Sequence, residues 1–470
     1  MRYDYDLIAI GSGPAGQKAA IQAAKLGAHV AVVDKGAMLG GVCINTGTIP
    51  SKSLREAVIA ATGADRRSPF SGGGGFRPGS ITMDDLMRRG RIVIEREAGV
   101  VANQLARNQV DFHRGLARFV DPHAIEIVGE DGEARRVTAA RFVLATGTRP
   151  ARPAGIAFDD RTIFDSDTLL GLRRLPRTFV VVGAGVIGIE YASIFSALGS
   201  RVTVIERRSR LLDFCDGQIV EALQYHLRDA GVTFRLGESV LSVETGEEGA
   251  LTTLESGKRI LSDAVLYSAG RTGSTLDLGL DVLGIEPDDR GRITVNGRYR
   301  TSAQHVWAVG DVIGFPSLAA TSMEQGRLAA CDAFQVASQE HLGELPYGIY
   351  TIPEISFVGK TEEELTAAAV PYEVGVSRYR ELARGQILGD MHGLLKILVC
   401  PETRQLLGVH VFGTGATELV HVGQALMSLG GTIDYLVDAV LNYPTLTEAY
   451  KVAALDASNK LRTLSRVTAA

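Results

Sequence analysis

Cysteine is scarce in this chain: four in 470 residues, Cys43, Cys215, Cys331 and Cys400. No two lie close enough for a CxxC unit, so neither a zinc site nor a thioredoxin-like dithiol is expected. The low count fits a reducing compartment. A dense cationic stripe is also missing, and the formal net charge is −5. Nucleic acid is therefore not an expected partner, and the short clusters RRSR at 207–210 and DRR at 65–67 read as solvated faces. No uncharged apolar run approaches the roughly 18 residues of a membrane span. The start, MRYDYDLIAI, is acidic and turns directly into a strand, without the basic-then-apolar pattern of a signal peptide. These absences lead us to expect a cytoplasmic protein with no membrane partner. The length exceeds what one core supports and implies two to four domains.

Glycine, by contrast, is plentiful at 54 residues, and it concentrates in turns suited to phosphate. Residues 5–34 read as one βαβ unit: the apolar strand YDLIAI, then Gly11, Gly13 and Gly16 as GxGxxG, a helix over 14–26, and the strand HVAVVD ending in Asp34. The glycines let backbone approach a pyrophosphate, and the helix N-terminus supplies free N–H groups. Asp34 lies 23 residues past Gly11, where a carboxylate can accept from ribose hydroxyls. A second unit repeats the pattern 172 residues on, with Gly183, Gly185 and Gly188, and Glu206 at the same spacing of 23. Two such units predict two bound dinucleotides. Glu206 suits the free 2′-OH of NAD, whereas Arg207 or Arg208 can pair with the 2′-phosphate of NADP. Acid and arginines side by side predict a site accepting both. Residues 63–80 read as a glycine-rich surface loop and 81–108 as a long amphipathic helix.

Between the two units stands GGVCINTGTIPSK at 40–52, with a helix expected from near Ser51. This segment resembles the flavin-facing segment of the pyridine nucleotide–disulfide oxidoreductases. In the disulfide reductases of that family, two cysteines separated by four residues form a redox-active disulfide here. The first position is Cys43 and the second is Thr48, so the resemblance implies a flavin site without its dithiol. It also implies that Lys52 lies near the hydride-exchanging flavin nitrogen, paired with Glu190 beneath the nicotinamide; these two are the catalytic candidates. The loop AVLYSAGRTGST within 258–275 matches the family's return from the nicotinamide unit, and Gly310–Asp311, in VWAVGDVIG, matches its second flavin fingerprint. Lys35, Gly41, Cys43, Gly147, Gly270 and Arg271 are further cofactor contacts implied by the resemblance.

From 347 onward, TIPEISFVG, GLLKILVC and LLGVHVF read as strands, the last two as a hairpin. Helices follow at about 416–429, 433–440 and 446–462. The family resemblance makes this a dimerisation domain. There the disulfide reductases carry a His–Pro–Thr segment whose histidine is the thiol's acid–base. Here the segment is Tyr443–Pro444–Thr445, followed by Glu448. A phenol with a pKa near 10 is a poor proton shuttle at neutral pH, and Tyr443 reads as an aromatic packed at a dimer seam.

The expected fold is α/β: two Rossmann-like dinucleotide-binding domains plus a C-terminal α+β dimerisation domain. The expected boundaries are 1–150 and 276–346 for FAD, 151–275 for NAD(P), and 347–470 for dimerisation. Both departures, at Thr48 and Tyr443, remove the thiol half of the chemistry. Within the family the chain resembles the soluble, FAD-dependent pyridine nucleotide transhydrogenases, in GTIPSK, GAGVIG and NYPTLTEAY. That implies FAD as cofactor, NAD and NADP as substrates, a homodimer or higher homo-oligomer, and ping-pong hydride transfer. A flavin-dependent NAD(P)H:quinone reductase and a non-catalytic subunit of a dehydrogenase complex stay open as alternatives.

Overall fold

A computed structural model of the chain describes residues 3–36, 39–63, 81–338 and 345–468. Beyond Gly63, the expected glycine-rich loop lies outside these residues. Three five-stranded sheets organise the described residues. The first runs Val306–Ala308, Phe142–Leu144, Leu7–Ile10, Val30–Asp34, Asp111–Arg114, all parallel. The second runs Thr233–Leu236, Arg201–Glu206, Thr178–Val182, Ala264–Tyr267, Ile163–Phe164, also all parallel. Parallel strands covered on both faces need apolar residues throughout, and LIAI and VVV are buried as continuous runs. Each sheet is followed by a smaller antiparallel one, Leu116–Asp121 with its neighbours and Val240–Gly246 with its neighbours.

The helix Pro14–Lys25 shows how sequence places the first site. Proline at its first turn fits the missing donor there, and the buried Ala15, Gly16, Ala19, Ala20 and Ala23 let the helix lie close to the sheet. The helix Ala319–Ala333 packs against it so tightly that a Cβ on Gly326 would stand 2.1 Å from the Ala15 carbonyl oxygen. The chain start and the 306–333 segment, far apart in sequence, thus share one core. The long helix Met83–Arg107 is opened by a reciprocal Thr82–Asp85 capping box, a strong start signal.

The third sheet is antiparallel: Tyr347–Ile349, Ile355–Gly359, Leu406–Phe412, Leu394–Val399, Glu373–Arg378. Two of its strands, Tyr347–Ile349 and Glu373–Arg378, were not expected from the sequence. The expected strand TIPEISFVG is strand only from Ile355. Pro353 has no N–H to give a ladder, and the preceding backbone bonds elsewhere, as described below. The helices lie at Ala416–Ser428, Ile433–Asp438 and Glu448–Thr468. Near the flavin-facing segment the expected helix start also shifts. Gly41–Asn45 forms a short helix, and the following one opens at Thr48 and runs to Thr62. Lys52 therefore sits in the second turn, clear of the N-terminal dipole end that disfavours a cation.

Candidate functional site

The two glycine turns are built alike. Gly11 has φ +109° and Gly183 has φ +100°, a region L-residues rarely adopt. A Cβ on Gly16 would stand 1.9 Å from the Gly11 carbonyl oxygen, and one on Gly188 2.0 Å from that of Gly183. Gly13 and Gly185 face open space. One cleft of about 2020 Å³ connects the two turns. Apart from Gly16 and Gly188, which pack helix against strand, the residues expected at the cofactors line it.

The two strand-end acids differ. Asp34 Oδ2 accepts from Ser12 N–H at 2.6 Å and Oδ1 from Gly36 N–H at 2.8 Å. Each oxygen keeps one lone pair for a ribose hydroxyl. Glu206 has none left. Its Oε2 accepts from Ala184 N–H at 2.7 Å and Arg208 Nη2 at 3.2 Å, and its Oε1 from Arg208 N–H at 3.1 Å and Nε at 3.0 Å. Burial pushes this carboxyl up, but the Arg208 and Ala184 bonds outweigh it and hold it below the usual range.

At the waist of the cleft, Lys52 Nζ donates to Glu190 Oε2 at 2.7 Å and to Ser51 Oγ at 3.3 Å. The Glu190 side chain is 6% exposed and that of Lys52 25%, so the carboxylate is buried and the ammonium looks into the cleft. Glu190 Oε1 accepts from the Tyr350 N–H at 2.8 Å, and Lys52 lies 4.9 Å from the Tyr350 ring centroid. The 350–352 backbone is thus diverted from the sheet onto helices of both units. Thr351 O accepts from buried Arg55, and Ile352 N–H donates to Ser193 Oγ. Cys43 is unbridged, as are the other three cysteines. Burial pushes its thiol up, against a hydrogen bond with the Thr48 side chain.

Asp311 lies at the far wall, where burial pushes its carboxyl up against Arg271 and the hydroxyls of Thr148 and Ser322. The Gly310 N–H donates to Gln325 Oε1 at 2.8 Å. Arg271 is not free: its Nε goes to Thr148 Oγ1, Nη2 to Thr148 O, and Nη1 to Ser166 and Asp167. It ties together the two-stranded pairing of Thr148–Pro150 with Arg271–Gly273. Lys35 is exposed at the mouth, and Gly41, at φ +58°, passes so close that its Cβ would stand 2.9 Å from Gly13 Cα. Gly147 and Gly270 are left-handed glycines facing open space.

Sequence reasoning missed Thr146 and Tyr350. Thr146 Oγ1 is buried in the cleft wall with no partner among the described residues; the ATGT after strand Phe142–Leu144 could have flagged it. Tyr350 lies 160 residues from Glu190 and carries no local signal. At the C-terminal end, the Tyr443 ring is 72% exposed. Glu448 Oε2 is buried with no partner among the described residues.

These features fit FAD in the first half of the cleft. The glycine turn is open to a pyrophosphate, Asp34 has room for a ribose, and the unpartnered Thr146 hydroxyl and buried Asp311 can meet a polyhydroxyl chain. Residues 5–326 match the family described as pyridine nucleotide-disulphide oxidoreductase, and 345–454 its dimerisation domain. The chain is 58% identical over 468 residues to a soluble pyridine nucleotide transhydrogenase of Mycobacterium tuberculosis, covering 98% of this chain and 99% of that one. Identity to the Vibrio parahaemolyticus protein of the same name is 46% over 461 residues, 97% and 98% of the two chains. Among solved structures, it resembles the HOCl-induced flavoprotein disulfide reductase RclA of Escherichia coli at TM-score 0.86 and 26% identity, with 96% of this chain and 99% of that one covered. It also resembles LpdA of Mycobacterium tuberculosis at TM-score 0.88 and 27% identity, with the same coverage. The chain belongs to the pyridine nucleotide-disulphide oxidoreductase family. Among the described residues no helix is long and apolar enough to cross a membrane.

Proposed function

We propose that this FAD-dependent oxidoreductase is an NAD(P)⁺ transhydrogenase, moving hydride from NADPH to NAD⁺ and back. The observation that carries this reading is the single cleft joining two complete dinucleotide turns, with the Lys52–Glu190 pair at its waist and threonine where a second thiol would stand. FAD, when bound, supplies the two-electron store between the nicotinamides. The chain's own part is positioning and electrostatics. Glu190 and the Tyr350 ring hold the Lys52 ammonium facing the cleft, where a fixed cation stabilises negative charge as it develops. Glu190, fixed by the Tyr350 N–H, keeps that ammonium from swinging into water. The two nicotinamides use one site in turn, so NADPH leaves as NADP⁺ before NAD⁺ enters and the kinetics are ping-pong. No redox disulfide takes part.

Gly11, Gly13, Gly16, Asp34 and Asp311 serve FAD in this reading, and Gly183, Gly185, Gly188, Glu206 and Arg207 border the nicotinamide dinucleotide. The divisions are 1–150 and 276–346 for FAD, 151–275 for NAD(P) and 347–470 for a homodimer's seam. The match of 345–454 to a dimerisation domain supports the last, and Tyr443, Val440 and Leu429 are exposed there. Four unbridged cysteines fit the cytoplasm.

The test is anaerobic. The yellow protein is reduced with NADPH, and NAD⁺ or a quinone is then added. Faster reoxidation by NAD⁺ is expected; faster reoxidation by the quinone would make the protein a quinone reductase instead. In the same assay Lys52→Met should slow reduction by about ten- to a hundredfold, the worth of one charge-assisted contact.

A further inference from the structure

The three arginines after the second unit's acid stand in different situations. Arg208 also lines the cleft, but each of its nitrogens is engaged: Nε and Nη2 grip Glu206 as a two-point clasp, and Nη1 donates to Asp213 Oδ1 at 2.8 Å. Arg210 is held by Glu363 Oε1 at 3.1 Å and the Cys215 carbonyl at 2.7 Å. Arg207 is exposed, lines the cleft, and has no hydrogen-bond or ion-pair partner among the described residues. A two-point guanidinium–carboxylate pair is among the stronger polar contacts a protein makes. A phosphate could reach Arg208 only through the second N–H of Nη1 and of Nη2, on a guanidinium whose charge is already shared by Glu206 and Asp213.

We propose that Arg208 is the fixed counter-ion of Glu206 rather than a phosphate ligand, and that Arg207 is the residue that meets the 2′-phosphate of NADP. This rests on the reading of the cleft as a site for both nucleotides and explains how it tolerates both. Glu206 standing alone would repel a 2′-phosphate and accept from a 2′-OH. Clasped by Arg208, it does little of either, because its charge is matched and its lone pairs are filled. NAD then binds without a carboxylate's selection, NADP binds without its penalty, and Arg207 adds attraction for the phosphate alone. Three neighbouring charges thereby divide the work: one masks, one is masked, one reads.

The experiment measures binding of 2′,5′-ADP and of 5′-AMP to the FAD-loaded enzyme by calorimetry. These probes differ in the 2′-phosphate and carry no nicotinamide, so the result does not depend on hydride transfer. The readout is the ratio of their dissociation constants, 2′,5′-ADP over 5′-AMP. Arg207→Ala should raise this ratio about ten- to a hundredfold. Arg208→Ala should also raise it, by unmasking Glu206, but the double variant with Glu206→Gln should return to within about threefold of wild type. If Arg208→Ala fails to retain FAD, Glu206→Gln alone decides that arm. Releasing Arg208 should tighten 2′,5′-ADP relative to 5′-AMP, and an unchanged or raised ratio counts against the masking role. The proposal is overturned if Arg207→Ala leaves the ratio within threefold, or if the loss in Arg208→Ala survives Glu206→Gln. A wild-type enzyme that binds neither probe overturns the two-nucleotide reading itself, a result distinct from either.

Discussion

The two glycine turns agree to a tenth of an ångström in their tightest contact, 1.9 Å at Gly16 and 2.0 Å at Gly188, yet the acids beyond them do opposite things. Asp34 keeps acceptors open; Glu206 is filled by an arginine two residues away. The two units also pack against different partners. The first unit is locked within one core by the 306–333 segment, which suits a resident cofactor. The second shares its core with the C-terminal sheet and is also tied to it by polar struts. Lys396, 1% exposed, pairs with Asp216 at 2.9 Å and with Glu362, and Arg210 reaches Glu363. One backbone design thus serves two units whose acids are engaged differently and whose cores are completed by different parts of the chain.

The contrast is broken most severely by adding one methyl to each unit. Gly16→Ala and Gly188→Ala each drive a Cβ into a backbone oxygen, an overpacking cost of about 3 kcal/mol or more. Gly16→Ala should purify without flavin. Gly188→Ala should stay yellow while NADPH reduces it at least about a hundredfold less efficiently. Loss of flavin from both would show that the units are not separable.

Next in size is the strut. Lys396→Met leaves Asp216 buried without its ammonium, which should cost about 3–5 kcal/mol in urea unfolding. Burial pushes the Asp216 carboxyl up, but His410 and Lys396 pull it below its ordinary value. Its contribution is therefore complete above the unfolded carboxylate pKa of about 3.9 and is lost as pH falls through the lower folded value. The deficit of Lys396→Met should accordingly shrink in acid, where Asp216 can be buried as the neutral acid. A deficit that grows in acid would mean the network is not held by Asp216.

A smaller effect sharpens the comparison of the acids. Asp34→Asn should weaken FAD about tenfold, because a charged acceptor facing a ribose is lost. Glu206→Gln should change NADH affinity by less than about threefold, since its lone pairs are already filled. A larger loss at Glu206 than at Asp34 would reverse the contrast. Smallest of all, Cys43→Ser should change transhydrogenation by less than about threefold; its disappearance with FAD still bound would give Cys43 a redox role.

The sequence by itself determined the two dinucleotide units, because a buried parallel strand, a glycine turn and a small-residue helix are local features whose spacing is set by the chain. It also determined the family, through GTIPSK and GAGVIG, and the lack of a second thiol at Thr48. Tertiary structure decided the rest, wherever partners are distant or adjacent side chains diverge. Glu190 meets Lys52 across 138 residues and the Tyr350 N–H across 160, and a proline two residues after Thr351 gives no hint that the Tyr350 N–H will turn to that carboxylate. The helix of Lys52 starts at Thr48 because Gly41–Asn45 coils first, a matter of packing against the first phosphate turn. Arg207 and Arg208 are indistinguishable as letters. Side-chain direction at the strand end clasps one onto Glu206 and leaves the other with no partner among the described residues, and that direction exists only once the strand has a sheet on one side and a cleft on the other.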